Sequence, residues 1–337
     1  MVGGNPQKDA YGFRFWNPSN VPGAPFAEYV EEGNLGRFLG FLACLIQASF
    51  TIAGPDYVSM TAGEAENPRK VLPKAFNSVF YRLTAFFVLG SLCVGIVVPY
   101  NDPSLIKAIS DARPGAGSSP YVIAMQRMKI QVLPHIVNAL VLSAIYSAGN
   151  SYVYCASRTL YGLALEGKMP FCLTRCTKGG VPIFCVGITL AISALAFLQL
   201  SNDAAVVLSW FVNLVTASQL LNFATISFTY IRFYAALKSQ GVPRDSLPHK
   251  SRLQPFSAYY AFVGTFIMAF VGGYSVFLPG NWSIPSFLFS YTMIGVYPIL
   301  FIAWKIIHRT EWCDLKKIDF FESERIEIDR YEESLNL

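Results

Sequence analysis

The segment Ala53-Gly54-Pro55-Asp56 interrupts an apolar stretch with residues that break helices and carry charge. Pro55 lacks a backbone donor, and Gly54 lets the chain leave helical geometry. At membrane depth lipid offers no partner for the carbonyls freed in this way, so such a break persists only where it lines a cavity or binds a solute. An intramembrane carboxylate such as Asp56 is by default a functional group. The pattern predicts half of a midplane solute site, of the kind that discontinuous helices build in secondary transporters.

A zwitterionic solute would find partners for both of its charges at this break. Unwound carbonyls at Thr51, Ile52, Ala53 and Gly54 can accept hydrogen bonds from an ammonium group. The N-terminus of the following half-helix offers free N–H groups and a positive dipole end to a carboxylate. The structural alternative for Asp56 is dipole compensation, since it directly follows a proline suited to the first position of a helix.

The elements that must hold this segment are membrane spans. Hydrophobic residues make up 53% of the chain and charged residues 14%. The apolar residues come in long charge-free runs, each meeting the need for about 20 residues per transmembrane helix. The last run is too long for one crossing and is cut by a Pro279-Gly280 turn. We therefore expect seven spans, at approximately 38–65, 75–99, 132–165, 182–201, 204–236, 256–279 and 283–308.

The placement of Lys and Arg predicts the orientation of these spans. With the N-terminus outside, the four inner segments hold 19 of the 26 basic residues, which the positive-inside rule favours. Residues 1–36 are then an outer loop, 37–308 the seven-helix bundle and 309–337 a cytosolic tail. The plasma membrane is the expected location. The polar N-terminal segment on the outer side has no signal-peptide pattern, and the number of predicted spans is odd. These features suggest that the sequence is the C-terminal part of a longer protein.

Other function classes find no support in the sequence. The net charge of +5 follows from the topology and gives no argument for nucleic acid. No cysteine lies in a predicted outer segment, so no extracellular disulfide framework is encoded. No catalytic triad, phosphate loop or zinc signature is present, so we expect no enzyme, no metal and no cofactor.

Four ordered stretches resemble a known family. Residues 53–75 resemble the sixth transmembrane segment of fungal amino-acid permeases, of the amino acid–polyamine–organocation superfamily. Residues 98–102 resemble the end of the seventh helix, 147–170 the eighth helix and the loop after it, and 230–241 the end of the tenth. The similarity covers essentially the whole chain.

The resemblance implies an all-α polytopic membrane helix bundle of the leucine-transporter type, with two inverted five-helix repeats plus two further helices. This chain would supply spans six to twelve, which are the second repeat and the two extra helices. A missing N-terminal half is the implied partner, together with the lipid bilayer. The implied function is proton-coupled amino-acid symport by alternating access, with an amino acid and a proton as the transported species.

The resemblance also assigns roles to individual side chains. Phe50 matches an aromatic gate over the substrate, although ordinary packing explains it equally well. Asp56 stands where family members usually carry the Glu linked to proton coupling. Asn150 and Tyr152 fall in the midplane region of the eighth helix, where they either line the transport path or serve helix packing.

The tenth helix of the family corresponds to a segment with five polar side chains within ten residues: Asn213, Thr216, Ser218, Gln219 and Asn222. Asn and Gln in a membrane helix need partners, so this face is expected to point into the bundle. Whether it meets the substrate or the fifth helix of the missing half stays open. Thr216 is the predicted substrate contact, and specificity is expected to be shared among the sixth, eighth and tenth helices.

Two other functions fit the same topology. Seven spans with the N-terminus outside also describe a receptor, but the missing outer cysteines and the broken first span weigh against that class. A non-transporting partner of a separately encoded half is the third hypothesis.

Overall fold

The computed structural model describes residues 6, 8, 10, 12–51, 56–110, 119–200, 204–247, 249–251, 253–320, 328–331 and 333–334, and every regular element in these ranges is helical. The α-helices are α1 Gly33–Thr51, α2 Tyr57–Met60, α3 Pro68–Val97, α4 Pro103–Ser110, α5 Pro120–Arg127, α6 Leu133–Leu165, α7 Ile183–Ser193, α8 Ala204–Gln240, α9 Phe256–Val271 and α10 Ile284–His308. Short 3₁₀ turns follow α2, α7 and α9, at Ala62–Glu64, Ala194–Leu200 and Tyr274–Phe277.

Five of these helical stretches are long and apolar enough to cross a membrane: Pro68–Val97, Leu133–Leu165, Val206–Gln240, Phe256–Phe277 and Ile284–His308. A shorter apolar helix covers Ile183–Phe197. The expectation of an all-helical, multi-pass membrane protein is confirmed. The count of seven spans stays a prediction.

Proline residues mark several helix starts. Pro134 and Pro285 lie in the first turns of α6 and α10, where a missing N–H costs nothing and the fixed φ suits a helix. Pro298 lies inside α10, so the carbonyl one turn earlier has no N–H partner within the helix. That helix ends at Arg309, whose φ of 48° puts it in the left-handed conformation that stops a helix.

The contacts divide the chain into two compact units, and the first comprises residues 1–45, 54–61 and 77–208. One of its cores lies where α6, α7 and the 3₁₀ turn Phe171–Thr174 meet, and it contains Ala164, Leu173 and Cys185. A second core lies at the end of α3, where Val98 packs against Ile123 and Ala124 of α5.

The second unit comprises residues 46–53, 62–76 and 209–337. Its core joins Leu220 and Leu221 of α8 to Ala269 of α9, with Met293 and Ile294 of α10 packed against them. Three long apolar helices therefore share this core.

The short helix α5 begins without a side-chain cap. Ser119 takes the N-cap position with extended backbone angles and makes no side-chain capping bond. Pro120 occupies the first turn and has no N–H, so one donor that a cap would satisfy is absent.

Candidate functional site

The end of α1 carries the first two residues of the predicted solute site. Phe50 is half-buried and Thr51, the last residue of the helix, is exposed. The Thr51 Oγ1 donates to the carbonyl of Gln47 at 2.9 Å, which is a common bond within a helix. The hydroxyl proton is thus engaged locally, and the main chain remains the group by which Thr51 could bind a solute. Residues 52–54 lie outside the described residues, so their predicted role stays a prediction.

Asp56 lies directly before α2, in the N-cap position. It has helical backbone angles and no side-chain capping bond. Its carbonyl accepts from Ser59 twice, from the backbone N at 3.0 Å and from Oγ at 2.5 Å. Because α2 is a single turn, few aligned peptide units contribute to its dipole. Anion binding here would depend on individual N–H groups more than on a macrodipole.

The turn of α2 packs against α6 through two side-chain contacts. The rings of Tyr57 and Tyr152 meet edge to face, with centroids 5.7 Å apart and planes at 87°. The Thr159 hydroxyl lies 3.7 Å from the Met60 Sδ, and it also donates to a carbonyl one turn earlier at 2.9 Å. The structure therefore brings the Asp56 region together with Tyr152.

Asn150 occupies a different side of α6. It lies two residues before Tyr152, which is about 200° around an α-helix, and it is exposed. One helix cannot direct both side chains at α2. Their shared role in a single site therefore stays a prediction, and Tyr152 is the one beside the Asp56 segment.

Thr216 is buried in the second unit, and its hydroxyl donates to the Val212 carbonyl at 2.7 Å. It lines a cavity of about 10 Å³ with Asn213 and Ser290. A cavity of that volume has room for about one water molecule. In this conformation the space beside Thr216 is too small for an amino acid, so its predicted contact with substrate would require a different arrangement of these helices.

The polar face of α8 meets α10, a partner that the sequence left undecided. Three side-chain pairs join the two helices: Trp210 Nε1 to Ser286 Oγ at 3.2 Å, Asn213 Nδ2 to Ser290 Oγ at 3.5 Å, and Thr225 Oγ1 to Tyr297 OH at 2.6 Å. Ser286 and Ser290 are four residues apart and share one face of α10. That spacing is a sequence signal for a second polar face, on α10.

Comparison with known proteins shows which family combines these features. The family model "Amino acid permease" matches residues 1–317. The chain belongs to the amino acid permease family. It is 48% identical to a general amino acid permease of Saccharomyces cerevisiae, over 98% of this chain and 56% of the relative. It is 40% identical to a proline-specific permease of Emericella nidulans, over 98% and 59%, and 38% identical to a lysine-specific permease of S. cerevisiae, over 98% and 52%.

The chain thus spans between half and three fifths of the length of these relatives. No solved structure matches it. Membership of the permease family confirms the resemblance drawn from the four motifs.

Proposed function

We propose that this chain takes part in proton-coupled amino-acid transport by alternating access, and that it contributes spans six to twelve of a permease. One observation carries the proposal. In an amino acid permease sequence, α1 ends at Thr51 and a separate one-turn helix begins at Tyr57, with the carboxylate Asp56 at its start. The main chain at the end of α1 would hold the substrate ammonium. Neighbouring N–H groups would hold its carboxylate.

Asp56 is the proposed proton carrier. A charged carboxylate at membrane depth is costly. A proton bound from the acidic outer side would neutralise it before the site closes to the outside and opens to the cytosol. Release of that proton to the cytosol would restore the charge and reset the site. The edge-to-face contact of Tyr57 with Tyr152 would link this step to α6.

Other membrane segments would complete the site. None of the 18-residue apolar window of α6 is buried inside the chain, and the exposed part of this helix carries polar side chains, including Ser147, Asn150 and Ser151. The Ser151 hydroxyl donates to the Ser147 carbonyl within the helix, but the amide of Asn150 would lack partners in a lipid-facing position, so such polar side chains normally meet protein. The first five spans of a permease, whether in the same chain or supplied separately, fit this requirement.

The proposed orientation places the N-terminus outside and the C-terminus in the cytosol of the plasma membrane. Its support is the excess of Lys and Arg in the predicted inner segments. Epitope tags at the two ends, stained in intact and in permeabilised cells, test it directly. Staining of a C-terminal tag in intact cells would reverse the orientation.

The transport proposal is tested by uptake in yeast lacking its own amino acid permeases. The chain is expressed alone and together with the first five spans of a family member, and radiolabelled amino acids are offered at acid and neutral outer pH. We expect acid-stimulated uptake when both parts are present. Both parts reaching the plasma membrane without uptake of any amino acid would contradict transport and favour the non-transporting partner.

Variants at Asp56 test the coupling. Asp56→Asn cannot release a proton, so uptake should no longer differ between acid and neutral pH, whereas Asp56→Glu should retain the difference. Glu166→Gln is the matched control, since that carboxylate is exposed after α6 and paired with Lys168. Acid stimulation that survives in Asp56→Asn would remove Asp56 from the mechanism.

A further inference from the structure

A cavity of about 450 Å³ lies at the C-terminal end of α3, within the first unit. Its walls come from the N-terminal segment, the last turns of α3 and the start of α5. Four aromatic side chains line it: Phe15, Trp16, Tyr100 and Tyr121. The volume falls within the range of about 300–1,000 Å³ that is typical of small-molecule pockets.

The aromatic walls are held by specific bonds. Trp16 Nε1 donates to the Gly95 carbonyl at 2.9 Å, and the Tyr100 hydroxyl donates to the Pro22 carbonyl at 2.5 Å. The Gly95 carbonyl is among the last four of α3, which have no partner within the helix. The Trp16 indole N–H therefore provides a partner for a free carbonyl at the end of α3, and its ring forms one wall of the cavity.

Two further contacts fix the remaining rings. The guanidinium of Arg127 lies 5.0 Å from the centroid of Phe15 and is itself paired with Asp102. Tyr121 packs so closely on Gly90 that a methyl group at that position would collide with its hydroxyl. The cavity is therefore preformed, which lowers the entropy cost of binding.

Much of this fixed aromatic surface remains uncovered. Trp16, Tyr100 and Tyr121 are 41%, 50% and 48% exposed. Exposed apolar surface in a defined concavity marks an interaction site. Trp16 and Tyr100 are held in place by hydrogen bonds, so a ligand that enters the cavity would cover their exposed faces without moving them.

The chemistry of the lining excludes the substrates of a permease. None of the described side chains that line the cavity is charged. An amino acid placed there would leave its ammonium and carboxylate without a charged partner, which is costly away from water. The ligand must be uncharged where it meets these walls.

The position of the cavity narrows the possible classes of ligand further. Ser91 and Val94 belong to the last two turns of a helix long and apolar enough to span a membrane, whereas Tyr100 and Tyr121 lie beyond its end. The cavity thus straddles a membrane boundary, where Trp and Tyr are enriched. A ligand that fits has a largely apolar body and a small uncharged polar group, for which the hydroxyls of Ser91 and Tyr121 are possible partners.

We propose that this cavity binds a sterol. A fused ring system presents flat apolar faces to the aromatic walls and carries a single hydroxyl at one end. It is also rigid, so it loses less conformational entropy on binding than a flexible acyl chain does. The site is separate from the proposed transport path and does not depend on transport activity.

The test uses a photoreactive sterol carrying a diazirine in the ring system, applied to membranes that contain the full chain. Cross-linked peptides are mapped by mass spectrometry, and unlabelled sterol is the competitor. We expect competable labelling within residues 91–105 or beside Tyr121. Labelling spread over all the apolar helices, or no labelling in these segments, would overturn the proposal. This result needs only the unmodified chain.

A pair of matched variants sharpens the test. Val94→Trp fills the cavity and should lower labelling about tenfold, because ring and ligand would occupy the same volume. Val88→Trp makes the same change on the same helix, at a position 60% exposed and outside the lining, and should label like the unmodified chain. Thermal unfolding in detergent checks that both variants fold.

Two other outcomes would contradict the sterol assignment. Equal labelling of the two tryptophan variants would show that the probe binds elsewhere. A photoreactive phospholipid that labels the same peptides, and that sterol cannot displace, would assign the cavity to an acyl chain.

Discussion

Comparing Tyr152→Ala with Tyr152→Phe separates two roles for this side chain, namely positioning α2 through its ring and binding substrate through its hydroxyl. If the ring positions α2, its loss should weaken transport, and Tyr152→Phe should be close to normal because the edge-to-face contact with Tyr57 survives. If the hydroxyl instead binds substrate, Tyr152→Phe should lose activity like Tyr152→Ala. We expect the first result, since the structure shows Tyr152 against Tyr57.

The magnitude follows from the contact. An edge-to-face aromatic pair contributes about 0.5–1.5 kcal/mol beyond the area that it buries. Tyr152 is 52% exposed, so roughly half of the full burial term of about 1.5–3 kcal/mol is lost as well. Together these give about 1.3–3 kcal/mol. A single helical turn is not stable by itself, so α2 depends on such contacts, and uptake at low substrate concentration should fall by about tenfold or more.

The assay is a double-mutant cycle on uptake, with Tyr57→Ala as the second change. If the two rings act through each other, the loss in the double variant should be smaller than the sum of the two single losses, by a coupling of about 0.5–1.5 kcal/mol. Additive losses would refute the positioning role. So would a Tyr152→Phe variant as impaired as Tyr152→Ala.

Three further predictions concern stability. Tyr297→Phe removes the hydroxyl that bonds α10 to α8 at 2.6 Å and should cost about 0.6 kcal/mol, the average for such bonds in membranes, as measured by unfolding in detergent. Trp312→Ala removes a ring that contacts the cationic side chains of Arg232 and Lys305. The loss should lower stability by about 1 kcal/mol and speed protease cleavage near residue 312. An unchanged cleavage rate would contradict the contact. Gly90→Ala should displace Tyr121 at a cost of about 1–3 kcal/mol, whereas Gly149→Ala, with open space around it, should be neutral or stabilising.

The sequence was sufficient to predict the class of fold because membrane helices are encoded by composition alone. Runs of apolar residues and the prolines at their ends determine where α6 and α10 begin, near the predicted positions. The start of α3 is harder to predict. This helix begins at Pro68 and includes Pro73, because a proline so near the N-terminus of a helix removes few internal bonds.

Side-chain partners were less predictable. The polar residues of α8 show that a partner is needed, but several helices could supply it, and only the coordinates identify Ser290 of α10 as the partner of Asn213. The contact of Tyr152 with Tyr57 could not be predicted for a similar reason. A tyrosine at membrane depth suggests a ligand contact, and nothing in the sequence shows that another tyrosine packs against it across two elements.

The proposed transport function requires that the main chain around Ala53 and Gly54 is open to an amino acid at membrane depth. The most direct measurement is the reaction of Ala53→Cys, in a background without native cysteines and with the first five permease spans present, with a small water-soluble thiol reagent. We predict that the cysteine reacts and that an added amino acid substrate slows the reaction, whereas Phe41→Cys on the exposed apolar face of α1 stays unreactive. An Ala53→Cys that never reacts, or that reacts equally fast with and without substrate, would contradict the account.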